Sequence, residues 1–325
     1  MEIPKTLLQA IQYFSDEQVC IDTVALMRWE NGPVCPDCGT DGPYYLSRQR
    51  RWKCRMKTCR RQFSVKVGTI FEDSPIPLQK WLPAFWLLTN CKNGISSHEL
   101  ARSLSVTQKT AWFMLHRIRV AMETKTLYKL GGKGGGAVEV DESYLAPKPN
   151  RMHADRKAKR GLGEFGRAGV VVMGMLDREL RQVRAKVIPD VKRETLQNEI
   201  LANVDRKSKI YTDQFGSYDM LRWAGQDYVH KTVNHLEEYV RGQVHTQGIE
   251  NFWSLLKRGL RGTYVAVEPF HLDAYVTEQV FRYNNRATKD NPLTDADRFA
   301  LALSQVSGKR LTYKQVTGKE GLRSV

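Results

Sequence analysis

The stretch "AVEVDESYL" (137–145) decides how the second half of the chain is expected to fold. Its β-branched and aromatic residues predict a strand, and Asp141 stands inside it. The apolar run "VVVMGMLD" (170–177) is typical of a central strand, and "RQVRAKVI" (181–188) follows closely enough to pair with it as a hairpin. These three segments predict the first part of a sheet that carries Asp141.

The segments that follow alternate between helix and strand. They are a helix at 192–204, a segment at 209–218 whose strand ends at Asp213 and is followed by a turn, a short strand at 228–233 and a helix at 245–259. With a further helix expected between the last two strands, the full order is three strands, helix, strand, helix, strand, helix. This order predicts an α/β fold, a ribonuclease H-like mixed sheet with flanking helices, in which the strand of Asp141 lies beside the strand of Asp213.

The helix "HTQGIENFWSLLKRG" (245–259) has an unusual polar side. At about 100° per residue, the polar stripe contains Glu250, Ser254, Lys257 and Arg261. The opposite side is apolar: Ile249, Phe252, Trp253, Leu256 and Leu260. On this segment alone, a solvated helix face is the simpler interpretation.

Three carboxylates together favour a chemical role instead. Phosphodiester cleavage with two Mg²⁺ ions needs about three carboxylates around ions ~3.5–4 Å apart. Asp141, Asp213 and Glu250 can supply them, and oxygen ligands suit Mg²⁺ or Mn²⁺. Glu139 shares a strand face with Asp141 and is expected to support the site, whereas His245 is interpreted as a polar residue at the entry of the helix. The alternative is that each carboxylate is an ordinary edge residue.

Four cysteines near the start of the chain have the spacing of a metal site. They form C-x2-C, fifteen further residues and C-x4-C: Cys35, Cys38, Cys54 and Cys59. Four thiolates predict a tetrahedral, structural Zn²⁺ in a zinc ribbon, with disulfides or unrelated thiols as the alternatives. Cys20 and Cys91 lie outside the pattern and are expected to be buried small apolar residues.

The segment 94–119 predicts a helix-turn-helix unit. Ser96 and Glu99 form a capping box for the first helix, and Thr107 caps the second. The residues expected to contact DNA stand at the exposed start of this second helix: Gln108, Lys109 and Thr110. Ordinary packing of two short helices is the alternative.

The composition favours a polyanionic partner. Among 325 residues, 51 Lys and Arg exceed 35 Asp and Glu by 16, and nucleic acid is the commonest partner of so basic a chain. A merely basic soluble protein remains the alternative. Since no apolar run approaches the ~20 residues of a membrane span and no signal peptide is evident, no membrane partner is expected. The expected location is the cytoplasm, in association with the nucleoid.

The predicted domains follow from these segments. They are a zinc ribbon with a leading helix (1–74), a helix-turn-helix unit (75–128), a Gly-rich linker (129–137), a catalytic domain (138–290) and a C-terminal helical tail (291–325).

Four segments carry a resemblance to a known family. "VEVDESYL", "YTDQFGSY", "VHTQGIENFWSLLKRGLRGTY" and "NNRATKDNPLTDADRFALAL" resemble the ISXO-type branch of bacterial insertion-sequence transposases. That branch has an N-terminal zinc ribbon and a DDE catalytic domain. The resemblance runs from about residue 17 to about residue 314, and the combination of "GTIFEDS" with "IENFWSLLKRG" is specific.

The resemblance implies a role for individual residues. Asp141, Asp213 and Glu250 match the three metal-binding acids, and Lys257 matches the basic residue that holds DNA at the cut end. Arg258 and Arg261 would extend the basic track. In some branches the third ligand is an Asn just upstream, where this chain has Gln247. A second departure is "YLAPKPN" (144–150), where relatives often have a glycine-rich segment.

The implied function is that of a DNA transposase. It would bind the terminal repeats of its element, cleave at the element ends and transfer the 3′-OH to target DNA. Because two ends must be handled together, a homodimer or higher oligomer on DNA is expected. The alternatives are a DNA-binding regulator derived from an inactive transposase and a nuclease that hydrolyses DNA without joining it.

Overall fold

A computed structural model describes seven ranges of the chain: residues 4–124, 128–132, 135–145, 170–213, 228–233, 245–289 and 291–318. The chain divides into two compact units. One, here the terminal unit, comprises residues 1–124 and 285–325, and the other, here the sheet unit, comprises residues 125–284. The domain limits expected from the sequence remain a prediction.

The N-terminal part of the terminal unit combines helices with a small sheet. Its elements are α1 (Leu7–Tyr13), α2 (Glu17–Arg28), β1 (Tyr44–Leu46), β2 (Arg51–Lys53), β3 (Gln62–Phe63), α3 (Leu78–Asn90), α4 (Ser97–Leu104) and α5 (Gln108–Met122). The three strands are antiparallel in the order β1-β2-β3. Trp52 of β2 is buried and stacks on Phe63, with 6.2 Å between the ring centroids. This aromatic pair fixes the small sheet from one side.

The sheet unit is built on five strands. Its elements are β4 (Ala137–Leu145), β5 (Val170–Asp177), β6 (Gln182–Ile188), α6 (Arg193–Asn203), β7 (Lys209–Asp213), β8 (Val229–Val233), α7 (Gln247–Gly259) and α8 (Leu272–Asn284). The strand order is β6-β5-β4-β7-β8. β5 is antiparallel to β4 and β6, whereas β7 is parallel to β4 and β8. The expected mixed sheet is confirmed, and so is the position of the Asp141 strand beside the Asp213 strand.

Helices cover both faces of this sheet. On one face, Leu196 and Ile200 of α6 pack in a buried cluster with Val138 and Val140 of β4. The other cluster brings residues of α7 and α8 onto the sheet: Ile249, Phe252, Trp253, Leu256, Leu272 and Val276 with Val172, Leu176 and Val183. Since strand residues alternate between faces, the odd-numbered residues of β4 point towards α7.

The described part of the glycine-rich segment belongs to the sheet unit and packs within it. Leu130 is fully buried, and the backbone N–H of Gly131 donates to Oδ2 of Asp177 across 2.7 Å. Gly131 has φ +87°, and a Cβ there would lie 2.1 Å from Oγ of Ser208. Only glycine fits this position without a shift of its neighbours.

The C-terminal residues of the described chain belong to the terminal unit. They form α9 (Asp295–Ser304) and the single turn α10 (Tyr313–Val316). Phe299 of α9 is fully buried, with its ring centroid 5.5 Å from that of Phe14 and 5.4 Å from that of Trp86. The hydrophobic core of the terminal unit is therefore made from both ends of the chain.

The secondary structure agrees with the sequence within one or two residues at most ends. The predicted helix 192–204 is observed at Arg193–Asn203, and the predicted strand 228–233 at Val229–Val233. The strand predicted to end at Asp213 is observed at Lys209–Asp213, whereas the turn and the helix expected after it lie outside the described residues.

Candidate metal and nucleic-acid site

Helix α7 lies close to the sheet because Gly174 of β5 has no side chain. A Cβ at Gly174 would lie 2.7 Å from Cζ2 of Trp253 and 2.9 Å from Cδ1 of Ile249. Gly174 is the direct partner of Asp141 in the antiparallel pair of β4 and β5. The indole of Trp253 therefore lies over the strand, and its Nε1 donates to Oδ2 of Asp141 across 2.9 Å. This hydrogen bond joins α7 to the first predicted metal ligand.

The start of α7 is held by Glu139, two residues before Asp141. Oε2 of this buried carboxylate accepts from the backbone N–H of Ile249 across 2.9 Å, and Oε1 accepts from Nε of Arg178 across 2.7 Å. The first backbone N–H groups of a helix have no partner within it, and its dipole favours a negative charge at that end. Glu139 therefore fixes the start of the helix that carries Glu250.

Arg178 and His245 complete the surroundings of Glu139. The guanidinium of Arg178 lies 4.4 Å from the ring centroid of Tyr211. Tyr211 is the residue of β7 that pairs with Glu139 of β4. Nδ1 of His245 lies 3.0 Å from Nη2 of Arg178 and 3.6 Å from Oε1 of Glu139. His245 thus contacts this ion pair at the entry of the helix, where the sequence analysis placed a polar histidine.

A cleft of about 570 Å³ lies between β4 and α7. Its lining residues are Asp141, Glu142, Ser143, Glu250, Trp253, Ser254, Lys257, Arg258 and Arg261. The cleft therefore brings together two of the three predicted metal ligands and all three basic residues of the predicted DNA track. Acids for cations and bases for phosphates in one cleft are the groups that metal-dependent chemistry on a nucleic acid needs.

Both predicted metal ligands that line the cleft are oriented by neighbouring donors. Oδ1 of Asp141 accepts from the backbone N–H of Glu142 across 2.9 Å, and Oε1 of the exposed Glu250 accepts from Oγ1 of Thr246 across 2.9 Å. A carboxylate oxygen has two lone pairs and can accept a hydrogen bond while it coordinates a cation. These carboxylates fit divalent ions with oxygen ligands.

The strand that carries Asp213 runs parallel to the strand that carries Asp141. Glu139 of β4 is the partner of Tyr211 of β7 in a parallel pair, and the same register continued by two residues aligns position 141 with position 213. Asp213 is the last residue of β7, and its side chain lies outside the described part of the structure. Gln247, the alternative ligand position, is exposed on the first turn of α7 and is not among the described residues that line the cleft.

The four predicted zinc ligands form one cluster in the terminal unit. The thiols of Cys35, Cys38, Cys54 and Cys59 all lie within 4.8 Å of one another. The Sγ–Sγ distance is 3.8 Å between Cys35 and Cys59 and 3.4 Å between Cys38 and Cys54. Tetrahedral zinc with bonds of about 2.3 Å holds its sulfurs about 3.8 Å apart, so the cluster fits a structural Zn²⁺.

The surroundings of these thiols differ. The hydroxyl and backbone N–H of Thr40 lower the pKa of the Cys38 thiol to about 6, whereas burial raises the pKa of Cys54 to about 12. Outside the cluster, Cys20 is fully buried, and burial raises its pKa to about 12, as expected for a small apolar residue. Cys91 is only partly buried.

Helices α4 and α5 are joined by a three-residue turn, with the expected caps at Ser96 and Thr107. Near the start of α5, Nε2 of Gln108 donates to Oγ of Ser97 across 2.8 Å, and the hydroxyls of Thr110 and Thr107 lie 2.8 Å apart. Gln108 thus also joins the two helices, and Thr110 contacts the N-cap residue of its own helix. Lys109, the third residue expected to contact DNA, is exposed.

Two residues that place the acids could not be recognised from the helix periodicity. Trp253 falls on the apolar face of α7 with no sign of a polar partner, and Gly174 stands in an apolar strand with no predicted role. Gly174 itself was the sequence signal for this contact, because a glycine inside an apolar strand often marks a close approach of another element.

The helices that the structure describes include none with the length and hydropathy of a membrane-spanning segment.

Known proteins with similar sequences include transposase domains and a transposase zinc ribbon. The model of the ISXO2-like transposase domain matches residues 133–284, and that of the transposase zinc-ribbon domain matches residues 15–62. A protein encoded in the transposable element ISH50 of Halobacterium salinarum is 29% identical over 266 residues, covering 78% of this chain and 86% of that protein. A transposase-like protein of Haemophilus influenzae is 32% identical over 108 residues, covering 33% of this chain and 85% of that protein.

The fold, the thiol cluster and these matches define a transposase with a zinc ribbon. The chain belongs to the ISXO2-like family of insertion-sequence transposases, as the sequence resemblance predicted. Membership of this family implies a DNA substrate.

Proposed function

We propose that this transposase cleaves DNA at the ends of its insertion sequence and joins the resulting 3′-OH to target DNA. The observation that carries the proposal is the cleft in which Asp141 and Glu250 lie with Lys257, Arg258 and Arg261. The strand order and directions of the sheet unit agree with a ribonuclease H-like fold. In this sheet β7, which ends at Asp213, is the neighbour of β4, which carries Asp141.

Each side chain has a separate role in this proposal. Asp141, Asp213 and Glu250 hold two Mg²⁺ or Mn²⁺ ions, which when bound activate the attacking oxygen and stabilise the leaving oxygen. Lys257 lies two helical turns after Glu250 on the same side of α7, so it can hold the phosphate beside the bond that is cut. Arg258 and Arg261 extend this contact along the DNA backbone.

The terminal unit supplies the recognition of DNA. The zinc ribbon and the α4–α5 pair, as a helix-turn-helix, bind the terminal repeats, with Gln108, Lys109 and Thr110 at the reading surface. A homodimer or higher oligomer brings two element ends together. This activity takes place in the cytoplasm, on DNA of the nucleoid.

Asp141→Ala tests the proposal against its main alternative, a DNA-binding regulator. The variant should lose cleavage and strand transfer and still bind labelled DNA that carries an element end. Binding by the wild-type protein without cleavage in Mg²⁺ or Mn²⁺ would favour the regulator. Cleavage without any joined product would favour a nuclease that only hydrolyses.

A further inference from the structure

We propose that the C-terminal segment, residues 305–318, forms part of the DNA-binding surface by holding Lys109 of α5 in place through Tyr313. The inference rests on the proposed binding of duplex DNA by the α4–α5 pair. It adds a positioning residue that lies about 200 positions away from α5 in the sequence.

The C-terminal segment is attached along α5. Nζ of Lys309 donates to the backbone oxygens of Val120 and Glu123, across 2.9 and 2.6 Å, at the C-terminal end of α5. Nε of Arg117 donates to the backbone oxygen of Leu311 across 3.0 Å. The carbonyl groups at a helix end have no partner within the helix and favour a cation. The segment therefore starts from a fixed contact at one end of α5 and runs towards the other.

Tyr313 is fixed where the segment reaches the start of α5. Its ring centroid lies 5.5 Å from that of Phe113 in an edge-to-face arrangement, and Nζ of Lys109 lies 4.6 Å from the Tyr313 ring. Lys109 and Phe113 are four residues apart, so they share one side of the helix. Thr312 caps the turn of α10 with a capping box, and Val316 is buried beneath it.

This arrangement suits contact with DNA phosphates. A lysine side chain loses considerable rotamer freedom when it binds, and a ring that holds it in one direction reduces that loss. Lys109 and Tyr313 are both exposed. Of the exposed charged side chains on α4, the start of α5 and α10, Arg102, Lys109 and Lys314 outnumber the one acid, Glu99, so their net charge is positive. A positive surface around a helix start favours duplex DNA over a neutral or basic partner.

The test measures DNA binding by full-length variants with a labelled duplex carrying the end of the element and a scrambled duplex of the same length. The variants are Tyr313→Ala, Tyr313→Leu, Tyr313→Phe, Lys109→Ala and the double variant of Lys109→Ala with Tyr313→Leu. Leu301→Ala, which changes an exposed residue of α9, is the matched control. Thermal unfolding of each variant identifies any that fail to fold.

Tyr313→Leu should weaken DNA binding about two- to five-fold, which corresponds to the loss of one exposed cation–π contact. Tyr313→Phe and Leu301→Ala should bind as the wild type does. Lys109→Ala should lower the salt dependence of binding by about one unit of slope, and Tyr313→Leu should have no further effect in that variant.

Two results would overturn the inference. One is unchanged binding by a folded Tyr313→Leu protein, and the other is an equal loss from Tyr313→Leu with and without Lys109. Either result leaves the proposed function intact if the wild-type protein still cleaves and joins DNA. Absence of cleavage by the wild type, with the predicted coupling of Tyr313 and Lys109 observed, would instead reject the catalytic proposal alone.

Discussion

The indole N–H of Trp253 donates to Oδ2 of Asp141 across 2.9 Å, over the backbone of Gly174. A residue counted as part of the apolar face of a helix thereby orients a predicted metal ligand on the neighbouring strand. The same contact fixes the distance between the two elements that carry Asp141 and Glu250. The geometry of the cleft therefore depends on residues that do not themselves bind an ion.

Trp253→Phe should weaken binding of Mn²⁺ to the protein and slow DNA cleavage, each by about ten-fold. Phenylalanine keeps an aromatic ring in the core but cannot donate a hydrogen bond to Asp141. Mn²⁺ titration followed by electron paramagnetic resonance measures the first effect, and a single-turnover cleavage assay the second. Ser254→Ala, the next residue on the cleft wall, serves as the control. Wild-type Mn²⁺ affinity in a folded Trp253→Phe protein would show that the hydrogen bond does not orient Asp141 for the metal.

Gly174→Ala should lower the free energy of unfolding by about 1–3 kcal/mol and reduce cleavage, because the added methyl group meets Trp253 and Ile249. The indole of Trp253 is rigid and cannot give way by a change in its outer atoms alone, whereas Cδ1 of Ile249 is the end of its side chain. Chemical denaturation measures the change in stability. Gly262→Ala is the matched control, since a Cβ at Gly262 meets nothing within 4 Å. Equal stability of the two variants would mean that α7 does not need the close approach at Gly174.

Glu139→Gln should lower the free energy of unfolding by about 3–5 kcal/mol, because Arg178 loses its buried ionic partner. Measured at constant ionic strength, this loss should be the same with and without Mg²⁺, since Glu139 holds the start of α7. Glu199→Gln, which removes the partner of the more exposed Lys186, should cost less than about 1 kcal/mol. A defect of Glu139→Gln that appears only in the presence of Mg²⁺ would identify Glu139 as a metal ligand instead.

Cys35→Ser should remove about one zinc ion per chain, measured by elemental analysis of the purified protein, and should weaken binding to element ends. Cys91→Ser changes a thiol outside the cluster and should keep its zinc. Unchanged zinc content in Cys35→Ser would contradict the four-thiol site.

Much of the sheet could be predicted from the sequence because its signals are local. The apolar run 170–177 and its hairpin partner identified β5 and β6, and the short connection between them made their pairing the simplest one. Asp141 and Asp213 could be expected on neighbouring strands because their segments fit one sheet order. The zinc site could be predicted from the spacing of the four cysteines alone.

The remaining features depend on contacts between distant parts of the chain. The ring of Tyr313 beside Lys109, and the burial of Phe299 between Phe14 and Trp86, join the two ends of the sequence. Periodicity indicates which side of a helix is buried but not which segment covers it. Glu139 was expected to support the site, but its bond to the N–H of Ile249 required the position of α7.

The most direct test of the central claim is DNA cleavage by the Glu250→Gln protein, measured beside the wild type and Gln247→Ala. Labelled DNA with the flanking element ends is incubated with each protein in Mg²⁺ or Mn²⁺. We expect metal-dependent cleavage and joined product with the wild type and with Gln247→Ala, and neither with Glu250→Gln. Wild-type cleavage by Glu250→Gln would contradict the account, because another residue would then complete the metal site.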